Sequence, residues 1–367
     1  MPSISHPDAV WLGLDVRKDT ISVGTLEPGA EVAVVDKIFH DEASVRRLIA
    51  RFPDRGRLRV CYEAGPTGYE LARLLLSMGV WTLVAAPSLI PKAPGDRVKT
   101  DKRDCRRLAR LGRAGELVAI RIPSVTEEAV RDLCRARCDL VADRRRARQR
   151  LGGFLLRHGR VCRAGTAWTH GHARWLAAQA FDEPALSATF AHYRAVLCAR
   201  DAAVEAITAD LAGWYDRAPF AECVHRLAAY RGVTALGGLT LACEVCDWRR
   251  FPTAGVLMGF VGLVPCEYSS GGSTYRGGLT KTGNVHVRTQ LVESAWACQH
   301  RPSAGVTLTR RQAHASPETV ARAWAAQPRL HRRFATLTRR HKQPSVIAAA
   351  VARELAGFVW AEMTAEV

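Results

Sequence analysis

Five short apolar runs lie in the first 85 residues, and the spacing between them limits what this chain can fold into more than any other feature. Residues 9–16 (AVWLGLDV) read as a buried strand. Arg17-Lys18-Asp19 makes a turn, residues 21–26 return as a second strand, and residues 32–39 alternate as a third. Asp41 is placed to cap a helix reaching Arg51, with Val45, Leu48 and Ile49 on its apolar face. Residues 58–62 make a fourth strand, a helix after Gly65-Pro66 runs to Met78, and residues 80–85 make a fifth strand. Pro87, Pro91 and Pro94 enforce an extended connection, after which Thr100 opens a helix to Leu111. Three strands in a meander, then helix, strand, helix, strand and helix, is an order that fits a three-layer α/β domain.

Acidic residues punctuate this pattern. In Lys99-Thr100-Asp101-Lys102-Arg103-Asp104, two carboxylates sit three residues apart, on one face of a helix. Two readings stand: a solvated face neutralised by Lys102, Arg103, Arg106 and Arg107, or a pair of hard oxygen ligands for a divalent cation. Asp15 and Glu63 each end an apolar strand. If the first and fourth strands are neighbours, those two acids meet, and the closing helix brings Asp101 and Asp104 over the same sheet end. Four carboxylates without a cation would be badly destabilising there. With two divalent ions they make a phosphodiester-cleaving centre. The arrangement resembles the ribonuclease-H-like nucleases of the Holliday-junction-resolvase type.

With 367 residues, 48% of them apolar, the chain can build two or three cores. It carries 53 basic against 35 acidic residues, a net charge of +18, and residues 221–367 hold twice as many basic as acidic side chains. Arginine dominates, and its fork suits phosphate, so nucleic acid is the leading partner class. An Arg-rich proteome would explain part of that excess. Eleven scattered cysteines, with no charged-then-apolar leader before them, point to a reducing cytoplasm. Cys243-x-x-Cys246 has the spacing of half a zinc site, but no second pair follows. No stretch approaches the ~20 apolar residues that a membrane span requires.

Beyond residue 124 the pattern becomes helical. Val130, Leu133, Ala136, Leu140 and Val141 share one helix face, and ten arginines fall between Arg131 and Arg160, among them Arg144 and Arg145. Pro184 opens a second long helix with Phe190, Val196, Leu197, Val204, Ile207 and Leu211 inward. An antiparallel helical hairpin or coiled coil follows, serving as a dimerisation arm, an arginine-lined nucleic-acid track or a spacer. Residues 225–262 read as a helical unit in which Gly237-Gly238 separates two helices, either a helix-hairpin-helix element or simple capping. The stretch Gly262-Leu263-Val264-Pro265-Cys266-Glu267-Tyr268-Ser269-Ser270-Gly271-Gly272 leads through Tyr275-Arg276 to Lys281-Thr282-Gly283-Asn284. It reads as a hydroxyl- and glycine-rich loop flanked by Arg276, Lys281 and Arg288, suited to gripping phosphate or to presenting a serine nucleophile.

Taken together, the motifs resemble a known family: insertion-sequence transposases that pair an N-terminal DEDD domain with a C-terminal serine-bearing domain, understood as bridge-RNA-guided recombinases. Carrying the resemblance are Gly13-Leu14-Asp15-Val16, Glu63 with Ala64-Gly65-Pro66-Thr67-Gly68, Lys99-Thr100-Asp101-x-x-Asp104, and the two C-terminal runs just quoted. It implies a DEDD tetrad of Asp15, Glu63, Asp101 and Asp104 holding Mg2+ or Mn2+, and a nucleophile at Ser270, with Ser269 as the alternative. It also implies double-stranded donor and target DNA, a structured guide RNA, and a dimer or tetramer whose composite site draws on two subunits. Nucleic-acid contacts are expected from Lys99, Arg144, Arg145, Arg276, Lys281 and Arg288. The expected architecture is a ribonuclease-H-like α/β domain over 1–120, a coiled-coil arm over 121–220, a mainly α serine-bearing domain over 221–310 and a basic helical extension over 311–367. A metal-dependent, structure-specific nuclease without covalent serine chemistry is the alternative, and a non-catalytic scaffold the third reading.

Overall fold

A computed structural model describes residues 8–91, 100–163, 165–270 and 273–366. The chain divides into two units, Met1–Ser124 and Val125–Val367. The first contains β1 (Val10–Val16), β2 (Thr20–Leu26), β3 (Val34–Phe39), α1 (Glu42–Ala50), β4 (Leu58–Glu63), α2 (Glu70–Ser77), β5 (Trp81–Ala85) and α3 (Asp101–Arg113). Its sheet runs β3-β2-β1-β4-β5. The meander β1-β2-β3 is antiparallel, while β4 and β5 extend β1 in parallel. This is a mixed five-stranded sheet with helices on both faces.

The apolar run of β1 is continuous because both of its faces are covered. Leu12 and Leu14 pack with Val45, Leu48, Leu71 and Leu75 from α1 and α2. Trp11 packs on the opposite face with Leu108 and Ala109 of α3. There α3 approaches the strands closely, because a Cβ on Gly13 would stand 2.2 Å from the Cys105 carbonyl oxygen and one on Gly24 2.8 Å from it. A Cβ on Gly112, further along α3, would meet the Trp11 ring. The helix therefore runs against β1 in the opposite sense, and its first turn lies over the strand's carboxyl end.

Two local expectations shift. Asp41 caps α1 as its sequence position suggests, accepting from the Ser44 N–H at 2.7 Å. Thr100 precedes α3, but its hydroxyl makes no capping bond; its carbonyl takes the Arg103 and Asp104 N–H groups at 2.9 and 3.0 Å. The second helix begins at Glu70 rather than just after Pro66, since the chain first turns through Gly68, whose φ is 68°.

The second unit opens with α4 (Val125–Arg157), α5 (His170–Ala177) and α6 (Pro184–Ala212). Val130 and Cys134 pack with Leu211, while Leu151 and Phe154 pack with Phe190 and Leu197. The start of α4 thus meets the end of α6, as in an antiparallel hairpin. After it come α7 (Ala221–Ala228), α8 (Ala235–Val245), α9 (Ala254–Phe260), β6 (Pro265–Ser270), β7 (Ser273–Leu279), α10 (Val285–Ala295), α11 (Val306–Gln312), α12 (Pro317–Arg339) and α13 (Pro344–Thr364).

Three sequence readings change here. Gly237-Gly238 is not the break between helices; it lies in the first turn of α8, whose cap is Thr234, and the turn is made at Gly232 with φ 88°. The bare backbone of Gly237 leaves room for Gln290, whose Nε2 would be 2.5 Å from a Cβ there. The hydroxyl-rich loop is a two-stranded ribbon of β6 and β7. The apolar face of the last helix packs on the preceding domain as its sequence suggests, but the 310/311 boundary does not separate two cores: Leu330, Phe334, Ile347, Val351, Leu355 and Val359 share one buried cluster with Leu227, Leu241, Leu263 and Leu291. A boundary at 310/311 would cut that core in two.

Candidate active site

The first unit gathers three of the four expected acids. Side chains of β1 alternate, so Asp15 takes the same face as Trp11 and Gly13, the face covered by α3. The first turn of α3 carries Asp101 and Asp104 to that strand end. Burial raises the Asp15 pKa above its ordinary value, Arg17 opposes the rise, and the negative charges of Asp101 and Asp104 add to it. The three carboxylates therefore feel one another. Glu63 ends β4, one residue past the Leu14↔Tyr62 pair of β1 and β4. Its neighbour two residues back, Cys61, donates its Sγ to the Leu108 carbonyl of α3 at 3.2 Å. Alternation puts Glu63 on that same face, exposed at the same end of the sheet.

Arg17, read from sequence only as a turn residue, stands between the acids. Its guanidinium donates to Asp15 at 3.4 Å and also to Asp101. Asp104 has Arg107 at 3.8 Å, its side chain is 14% exposed, and its Oδ2 is buried without a hydrogen-bond partner. Among the described residues no three acids, histidines or cysteines close into a metal-holding group; one guanidinium neutralises part of the charge instead. The donor set nevertheless fits a divalent cation. It is all hard carboxylate oxygen, it repels itself, and it includes a buried oxygen with nothing bound to it. Lys99 lies outside the described residues.

In the second unit, Ser270 and Ser273 form the last described pair of the β6–β7 ribbon before Gly271-Gly272, which lie outside the described residues. Cross-strand pairing sorts the ribbon into two faces. Tyr268 stands opposite Tyr275, and both are exposed, at 73% and 68%. Alternation puts Ser270 on their face. On the other face Ser269 donates its hydroxyl to Glu267 Oε1 at 2.8 Å, and Arg276 donates to Glu267 Oε2 at 3.1 Å. Those bonds, Ser269 first, hold the Glu267 carboxyl below its ordinary pKa.

Other expected contacts have structural uses. Arg288 donates to the Val261 and Thr282 carbonyls at 2.8 and 3.2 Å, bracing the loop around Gly262. Lys281 is exposed at φ 54°. Asn284 caps α10 and donates to Glu244 Oε2 at 2.8 Å. Glu244 also takes two bonds from Arg135 of α4, at 2.7 and 2.9 Å. Burial would raise its carboxyl, but those bonds hold it below the ordinary range. The Lys281-Thr282-Gly283-Asn284 run thus ties the ribbon's exit to the base of the helical hairpin. Arg144 lies 3.7 Å from Asp201, while Arg145 is exposed. Cys243 faces the core beside Cys134, and all eleven cysteines are free thiols.

Known proteins match both halves. Residues 12–159 match a DEDD model of IS110 elements described as a transposase. Residues 224–308 match the model described as Transposase IS116/IS110/IS902 family. The putative transposase y4qE of Sinorhizobium fredii is 42% identical over 96% of this chain and 87% of its own length. The chain belongs to the IS116/IS110/IS902 transposase family. The transposase for insertion sequence element IS1533 of Leptospira borgpetersenii is 32% identical over 91% of this chain and 98% of that relative. A probable family 20 transposase of Pseudomonas aeruginosa is 26% identical over 97% of both chains. As a transposase of this family the protein is an enzyme acting on DNA, and its DEDD domain points to dependence on a divalent metal. No helix among the described residues is long and apolar enough to cross a membrane.

Proposed function

We propose that this transposase is a DNA recombinase that cuts and rejoins strands through Ser270, with Mg2+ or Mn2+ held by Asp15, Glu63, Asp101 and Asp104 in a ribonuclease-H-like domain. The observation that carries this reading is the convergence of Asp15, Asp101 and Asp104 at the carboxyl end of β1, with one Asp104 oxygen buried and unpartnered. A bound cation supplies charge neutralisation at the DNA phosphate. Burial and mutual repulsion, offset only in part by Arg17 and Arg107, make the carboxylates favour that cation. Arg17 offers a guanidinium that can turn from the acids to phosphate once they are otherwise neutralised.

Ser270 is favoured over Ser269 because Ser269 is committed to Glu267. In the cutting step, Ser270 Oγ forms a bond to phosphorus and loses its proton to solvent. The bond from phosphorus to the adjoining sugar oxygen breaks, and that oxygen leaves as a hydroxyl. A hydroxyl of the partner strand then attacks the serine phosphodiester, restoring Ser270 and joining the new ends. Carboxylates of one subunit and the serine ribbon of another make the composite site, so a dimer or tetramer is the working form. A structured guide RNA chooses donor and target duplexes by base pairing, leaving the protein to hold backbone. The charge of +18 and the exposed Arg145, Arg276 and Lys281 suit that task.

Strand exchange on plasmid donor and target, with the element's flanking transcript present, tests this. Ser270→Ala and Asp101→Asn should each abolish exchange, and Ser269→Ala should retain most of it. Nicking that persists in Ser270→Ala and disappears in Asp101→Asn would instead establish a metal-dependent nuclease.

A further inference from the structure

Between α4, α5 and α6, at the loop end of the helical hairpin, lies a cleft of about 150 Å³. Arg148 reaches it from α4, His172 from α5 and Arg194 from α6, with Trp168 at its rim. A second cleft of about 370 Å³ adjoins it, sharing Arg148 and Trp168 and edged by Arg144 and Arg145. None of this serves the carboxylate cluster or the serine ribbon.

Independent observations mark a built site. His172 is only 7% exposed, yet its Nδ1 has no hydrogen-bond partner. The Arg148 Nε is likewise buried and unpartnered. Buried polar atoms in a native fold ordinarily find partners, and these two orphaned atoms belong to side chains that line one cleft. Trp168 has a φ of 65°, a conformation that bulky residues rarely adopt. That backbone sets its ring 5.3 Å from the Arg148 guanidinium and 4.8 Å from the His172 ring. The acid present, Asp201, lies 3.3 Å from Arg148 and 3.7 Å from Arg144. With Arg145 and Arg194 added, the paired clefts remain cationic. Burial first, then the Arg148 charge, lowers the His172 pKa, which favours an uncharged ring beside Trp168.

We propose that this cleft binds one unpaired nucleotide of a nucleic-acid strand, its base stacked on Trp168 beside His172 and its phosphate held by Arg148 and Arg194. A flat ring, a buried polar edge and flanking guanidinium groups are the parts that recognise a splayed-out nucleotide, and a paired base cannot enter so small a recess. The proposal rests on the reading of this chain as a nucleic-acid enzyme. Its ligand is a single strand, RNA or displaced DNA.

The test uses the full chain and three fluorescein-labelled probes of one sequence: single-stranded RNA, single-stranded DNA and duplex DNA. Binding is read by anisotropy across a salt series. Trp168→Ala should weaken single-strand binding by at least about fivefold, Trp168→Phe should restore most of it, and duplex binding should be unchanged. Arg148→Gln should lower the salt dependence by about one ion. A strand carrying 5-iodouridine should cross-link to the peptide containing Trp168, which decides the matter even if Trp168→Ala fails to fold. Preference for the RNA probe identifies a guide strand, and preference for the DNA probe a displaced one; either supports the proposal. Wild-type affinity in the variants, with cross-links mapping elsewhere, would overturn it. Normal strand exchange in such variants would leave the recombinase reading intact, whereas cleft cross-linking without any strand exchange would sink that reading and keep this one.

Discussion

Arg17 follows Asp15 by two residues, yet its second partner, Asp101, is 84 residues further on. That distance is why a sequence reading sees only a turn there. The approach of Asp101 and Asp104 to Asp15 was legible, because Asp15 lies near a strand end, the other two lie in the first turn of a helix, and strand order puts those ends together. Arg17→Ala should leave the carboxylates with less counter-charge. Its metal-free melting temperature should fall, and the rise on adding Mn2+ should exceed that of the wild type. Asp15→Asn should act in the other sense. Burial first, then Asp101 and Asp104, hold the Asp15 pKa above its ordinary value, so its ionised form costs stability at neutral pH, and that cost disappears as pH falls below the ordinary carboxylate range. The variant should therefore melt no lower than wild type without metal, and lose the Mn2+ increment. Scanning calorimetry with and without Mn2+ measures both.

The central strands of the first unit could be read because both of their faces are buried, giving β1 and β4 nearly unbroken apolar runs, while the exposed edge strand β3 showed only in its alternation. The β6–β7 ribbon could not. Most of its residues are exposed, so no apolar alternation marks it, and its glycines and serines suggest a loop. The eight-residue α5 was too short to show a period. What positions the acids is the seat of α3 on β1, and that seat depends on Gly13. Gly13→Ala would drive a methyl to 2.2 Å from the Cys105 carbonyl oxygen and 2.4 Å from the Ala109 nitrogen. Both are backbone atoms, so the whole helix must shift. The expected cost is about 3 kcal/mol in chemical denaturation, with loss of the Mn2+ increment in the same protein.

Charge burial ties the C-terminal helices into the second unit's core. Glu362 of α13 is fully buried and accepts from Arg322 at 2.6 and 2.9 Å, from Thr319 at 2.7 Å and from Arg226 at 3.0 Å. Burial alone would raise its pKa, but these bonds bring it down to about 2. A depressed carboxylate stabilises the fold above its ordinary pKa, so about 3 kcal/mol should disappear as pH falls from about 4.5 towards 2. Glu362→Gln should lose about 3–5 kcal/mol at neutral pH, since two arginines lose their buried partner, and should flatten that acid limb. No spacing rule joins Glu362 to Arg226, 136 residues away, which is why the last helices read as an extension. The chemistry itself is tested most directly by trapping the covalent step. The protein is mixed with guide transcript, labelled donor duplex and Mg2+, denatured, digested and read by mass spectrometry. The expected product is a nucleotide phosphate on the peptide bearing Ser270, absent without Mg2+ and absent in Asp101→Asn. Strand exchange that proceeds with no protein–DNA adduct, or an adduct at another residue, would contradict it.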